Sequence, residues 1–198
     1  MKHKWEERFS TDEFVYGIEP NEFFKQEIDN LKPGRLLLPG EGEGRNAVYA
    51  AKCGWNVDAF DWSENAKEKA LQLAASQNVN INYSVVDIAH LPAETAVYDE
   101  AALIFIHLDD NDWPQLIEKI IASLKPGGRL ILELFEKEQI NKNSGGPKET
   151  DLLYSLEQAV SDFISLDFEH LSKEIIKLNE GKLHQGEASV VRFVGVKV

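Results

Sequence analysis

The chain has one cysteine, Cys53, which excludes an internal disulfide and any multi-cysteine zinc site. That cysteine lies among small apolar residues in a helical stretch, where packing explains it. No apolar run approaches the roughly 20 residues that a membrane span requires. Positive charge is also scarce, with 21 Lys and Arg against 34 Asp and Glu for a net charge of -13. Such a field repels phosphate backbones and anionic membrane surfaces, so neither nucleic acid nor a membrane is expected as a partner. The N-terminus runs straight into charged residues without the apolar core of a secretory signal, and the expectation is a soluble, cytoplasmic protein. The other histidines, His3, His90, His170 and His184, lack metal-ligand spacing, so no metal is expected.

What the chain does contain is an alternation of apolar runs and helical stripes within 198 residues, a length that suits one domain spanning 1–198. Asn21 can cap a helix bearing Phe24, Ile28 and Leu31, ending at Lys32-Pro33-Gly34. Leu36-Leu37-Leu38 is a continuous apolar run of the kind found in a strand buried on both faces. An alanine-rich helix over 46–52 stops at Gly54, a strand follows over 56–61, and Ser63 can cap the next helix. Further strands are expected at 81–86, 101–106 and 129–135, with a strong helical stripe at Leu116, Ile117, Ile120 and Leu124 before the last of these. Strand-like stretches at 168–178 and 188–198 read as an antiparallel pair, and Ser144-Gly145-Gly146-Pro147 marks one long loop.

Gly40-Glu41-Gly42-Glu43-Gly44-Arg45-Asn46 falls between the buried strand and the next helix, in the first βα turn. Glycine lets a ligand approach the backbone there, and a helix N-terminus offers N–H donors. Such a turn alone is compatible with a nicotinamide, a flavin or S-adenosylmethionine. Asp61 stands seventeen residues beyond Gly44 at the expected C-terminal end of the strand over 56–61, followed by Trp62, where a carboxylate can accept both hydroxyls of a ribose. The same reasoning at the end of the strand over 81–86 puts Asp87 and Ile88 beside an adenine.

Taken together, 38–46, Asp61, Asp87 and Leu124-Lys125-Pro126-Gly127-Gly128 resemble class I S-adenosylmethionine-dependent methyltransferases. Within that superfamily the chain resembles the tellurite-resistance (TehB-like) group and its thiopurine methyltransferase relatives. The matching stretches are Trp5-Glu6-Glu7-Arg8-Phe9, Tyr16-Gly17-Ile18-Glu19-Pro20-Asn21, Phe105-Ile106-His107-Leu108, Leu132-Glu133-Leu134-Phe135 and Gly145-Gly146-Pro147. The resemblance implies an α/β, Rossmann-like doubly wound sheet of seven strands in the order 3-2-1-4-5-7-6, closed by the C-terminal antiparallel pair. It implies S-adenosylmethionine as cofactor, S-adenosylhomocysteine as product and a small-molecule methyl acceptor, with thiols or metalloid oxyanion products as the soft nucleophiles. The superfamily usually has an acid two residues before the first glycine, and here Leu38 and Pro39 stand instead. The ammonium of the cofactor is then expected on loop carbonyls with Glu41 adding a carboxylate. Arg45 either meets the methionine carboxylate or is a surface arginine.

A sulfonium methyl is already activated, so alignment and exclusion of water are the main requirements. His107 beyond the strand over 101–106 and Glu133 near the end of the strand over 129–135 are expected to meet at adjacent strand ends, where a carboxylate orienting an imidazole makes a general base. Packing roles for both residues are the alternative. The aromatic segment 1–20, with Trp5 and Tyr16, is expected to fold over the cofactor as a lid, with Phe105 on the substrate side. A nicotinamide-dependent oxidoreductase and a non-catalytic S-adenosylmethionine sensor are the competing functions.

Overall fold

The computed structural model describes residues 2–92, 94–109 and 111–198. Seven strands form one sheet in the order β3-β2-β1-β4-β5-β7-β6. The strands are β1 (Arg35–Pro39), β2 (Asn56–Asp61), β3 (Asn82–Val85), β4 (Tyr98–Ile104), β5 (Leu124–Phe135), β6 (Leu166–Glu180) and β7 (His184–Lys197). The first five run parallel, while β7 enters antiparallel between β5 and β6. Both the order and the closing antiparallel pair agree with the expectation from sequence.

The helices are α1 (Lys2–Phe9), α2 (Glu22–Ile28), α3 (Arg45–Lys52), α4 (Glu64–Ser76), α5 (Trp113–Ser123) and α6 (Leu156–Asp162). Alternation along β1 divides the core. Leu36 and Leu38 pack with Phe24 and Ile28 of α2 and Ala47 and Ala50 of α3, while Leu37 packs on the opposite face, which also holds Leu116 and Ile120 of α5 and Ala159 of α6. Each face is thus covered by helices, which explains why β1 reads as an unbroken apolar run.

Several boundaries differ from expectation. The helix after Asn21 stops at Ile28, although Leu31 still packs against the core. β4 lies at 98–104 rather than 101–106, and β5 starts at Leu124, so the Lys125-Pro126-Gly127-Gly128 turn makes an irregular entry to that strand. The N-terminal segment contains helix α1, which periodicity did not indicate. Met1 of that segment lies outside the described residues. Among the described residues no helix is long and apolar enough to cross a membrane.

Candidate active site

At the C-terminal edge of the parallel strands lies a cavity of about 350 Å³, within the size range of cofactor sites. Its floor is the glycine turn. Gly44 caps α3 in the left-handed conformation at φ +88°, and a Cβ there would stand 2.5 Å from the Cβ of Ala70 on α4. Only glycine allows this turn to close against α4.

Asp61, at the end of β2, accepts a hydrogen bond from the Gly42 N–H at 3.1 Å and another from the Ser63 N–H at 3.0 Å. Burial raises its carboxyl to about 6, while the backbone N–H groups of Ser63, Gly42 and Trp62 oppose that rise. A carboxylate has about four lone-pair sites, so these backbone N–H groups do not exhaust its capacity to accept hydrogen bonds. Glu41 turns back onto α3, its Oε1 accepting from the Ala47 N–H at 2.7 Å, and burial lifts it to about 7 against that hydrogen bond and the nearby Arg45 charge. The start of α3 is therefore capped from within the loop rather than left open.

Gly40, Glu41, Gly42, Arg45, Asp61, Trp62 and Ile88 all line the cavity, as do Trp5, Tyr16, Phe105 and His107. Asp87 does not. Its side chain is turned to the surface, where it approaches His90 at 3.5 Å. Arg45 is no surface residue: it donates to Glu180 at 3.0 Å and to the Tyr16 carbonyl at 3.4 Å.

The anticipated meeting of His107 and Glu133 is corrected by the geometry. Glu133 is fully buried away from the cavity lining, bonded to Arg192 Nε and Asn21 Nδ2 at 2.6 Å each. Strand alternation explains this: Leu130, Leu132 and Leu134 belong to the α5 face, so Glu133 points with Ile131 toward α2 and α3. His107 does border the cavity, lying near parallel to Trp5 (6.3 Å, 18°) and Phe135 (6.1 Å, 14°), with its buried Nδ1 unpartnered. Burial and then the nearby His184 depress its imidazole to about 4, so it is neutral at physiological pH.

A carboxylate-oriented imidazole does exist, but it belongs to the hairpin. Glu180 Oε2 accepts from His184 Nδ1 at 3.1 Å, and His184 lines the cavity beside Tyr16 and Phe105 at centroid distances of 4.5 and 4.9 Å. Burial would lift Glu180, yet the His184 hydrogen bond and the Arg45 charge more than offset it and hold the carboxyl below its ordinary value. His184 itself is pushed down by burial, against the pull of Glu180. The readable signal for this pair was the hairpin turn, which puts 180 opposite 184 in the strand register.

Phe105 sits at φ +51°, a costly conformation for a large side chain, and is held there by its N–H bond to the Glu133 carbonyl at 2.8 Å. Above the floor, the segment after α1 is fastened by Lys69, which contacts the Thr11 and Glu13 carbonyls and pairs with the buried Glu43. Its far end abuts Gly181 in the hairpin turn, where the Lys182 N–H donates to the Val15 carbonyl at 3.0 Å.

Residues 37–128, which contain most of β1, the glycine turn, Asp61 and β2 to β4, match the family model described as a methyltransferase domain. Just under half of the chain is thus similar to a methyltransferase domain. Relatives of this domain include ubiquinone biosynthesis O-methyltransferase of Coxiella burnetii, 30% identical over 58% of this chain and 49% of its own length. Hemagglutinin 1 of Eikenella corrodens is 29% identical over 52% of this chain and 35% of its own. The probable S-adenosyl-L-methionine-dependent methyltransferase TehB of Haemophilus influenzae is 26% identical over 50% and 35%. These matches span half or less of each relative. A solved TehB structure from Haemophilus influenzae superposes with a TM-score of 0.74 at 17% identity, over 90% of this chain and 63% of that one. The shared fold therefore extends beyond the matched stretch to nine-tenths of this chain.

Proposed function

We propose that the protein transfers a methyl group from S-adenosylmethionine to a small soft nucleophile, a thiol or a reduced metalloid species. The observation that carries this reading is Asp61, a buried carboxylate tied to the Gly42 N–H on the wall of an aromatic-covered cavity. Its free lone pairs fit a ribose, and the Glu41 carboxylate fits an ammonium beside the glycine turn. The bound cofactor would supply a methyl already activated on a sulfonium. The chain's own residues exclude water with Trp5, Phe9 and Tyr16, and align the acceptor against the floor.

His184 is the better candidate for handling the acceptor's proton. Its Nδ1–H donates to Glu180, which leaves Nε2 as an acceptor, whereas His107 has no carboxylate and is a weak base. His107 serves as a neutral polar wall. Glu133 carries no direct role. Incubating the protein with S-adenosylmethionine and a panel of small thiols, amines and oxyanions, and measuring S-adenosylhomocysteine release, tests the reading. Turnover confined to large polymeric acceptors would refute it.

A further inference from the structure

Glu133 has both oxygens committed, Oε2 to Arg192 Nε and Oε1 to Asn21 Nδ2, at 2.6 Å each. The same Asn21 Nδ2 donates to Glu180 Oε1 at 3.1 Å. Two carboxylates thus converge on one amide nitrogen. The amide cannot flip, because Asn21 Oδ1 accepts from the Phe24 N–H at 2.9 Å as the cap of α2 and would otherwise face both carboxylates. The Asn21 backbone is fixed too, its N–H donating to Asn46 Oδ1 at 2.9 Å.

Glu180 is a contested group. Its Oε2 is shared by His184 Nδ1 and Arg45 Nη2, at 3.1 and 3.0 Å. An arginine beside a carboxylate favours a two-pronged arrangement that takes both oxygens. The Asn21 hold on Oε1 opposes that rotation and keeps one oxygen turned to the imidazole.

We propose that Glu133 and Asn21 are positioning residues that hold Glu180 against His184 and so fix the tautomer and orientation of the cavity imidazole. This rests on the reading of the cavity as a methyl-transfer site for its functional meaning, but not for its test. A buried ion pair is weak evidence for stability, since well-packed apolar residues do as well, so Glu133–Arg192 is explained better by what it orients.

The ring nitrogens of His184 report the outcome directly, by long-range nitrogen–proton NMR on the full chain without ligand. The groups facing this ring are Glu180 from β6, Arg45 from α3, Arg8 from α1, Tyr16 and His107. A hydrogen bond to a carboxylate favours the Nδ1–H form by at least about tenfold, and wild type is expected to show that excess. Asn21→Ser retains a helix cap but lacks the amide donor, and it should bring the two tautomers to comparable populations while S-adenosylhomocysteine affinity stays within about twofold. Should Asn21→Ser fail to fold, Glu133→Gln reads the same quantity, because a glutamine cannot accept from both Asn21 and Arg192 through its nitrogen. Unchanged His184 nitrogen shifts in a folded variant, with only a lower Tm, overturn the proposal. Absence of S-adenosylhomocysteine binding in wild type would instead overturn the functional reading and leave the tautomer result standing.

Discussion

Glu41 and Asp61 are raised by burial to about 7 and about 6, so cofactor binding should be coupled to proton release. In the free protein at pH 7, Glu41 is half protonated and Asp61 mostly ionised. A ligand that offers an ammonium to Glu41 and hydroxyls to Asp61 favours both carboxylates, so their protons leave on binding. With both held fully ionised in the complex, the release is about 0.6 proton at pH 7 and about 1.4 at pH 6. Affinity should therefore fall as pH drops from 7 to 6, with a slope that steepens toward acid. The sign is opposite for folding, which takes up protons at these sites: both groups have raised folded values, so their stabilising effect is complete near pH 4 and is lost as pH rises through about 6 to 7. Calorimetry of S-adenosylhomocysteine binding in buffers of different ionisation enthalpy measures the release. The ligand's own amino group titrates near 8, so work at pH 6 to 7 keeps it out of the measurement. Glu41→Gln should remove its share and leave about 0.5 proton at pH 6. Proton release near zero at both pH values in wild type would refute the assignment of these carboxylates to the ligand.

Asp61→Ala should weaken S-adenosylhomocysteine binding by ~1.5–3 kcal/mol, the range for hydrogen bonds to a charged group, and an unchanged Kd in calorimetry would remove Asp61 from the site. Gly44→Ala forces a Cβ into Ala70 at a positive φ, so a loss of about 2–4 kcal/mol is expected, read as a Tm drop of roughly 5–15 °C; a Tm within a degree of wild type contradicts the close approach. Deleting residues 1–9 should leave a cooperative melting transition and impair turnover, because Lys69 and Gly181 fasten the segment after α1 rather than α1 itself. Loss of the transition would make α1 part of the folding core.

The sheet was legible because Leu36-Leu37-Leu38 can be satisfied only between two helical layers, and because the glycine turn and Asp61 fall at consecutive strand ends. The helix α6 was missed although Ser155 caps it through Gln158, since its seven residues offer too short a stripe. Glu133 was misread from its position near a strand end. The period-two pattern of Leu132 and Leu134 around it already points it toward α2. His184 was set aside as lacking metal spacing, and its meaning depends on Glu180 across the hairpin and on Tyr16 from the other end of the chain. Such long-range partnerships leave little trace in local sequence.

Calorimetric titration of the same wild-type protein with S-adenosylhomocysteine and with NADH distinguishes a methyl-transfer site from a nicotinamide site. Saturable one-to-one binding of S-adenosylhomocysteine, weakened in Asp61→Ala, and no binding of NADH are expected. Saturable NADH binding together with no heat from S-adenosylhomocysteine would contradict it.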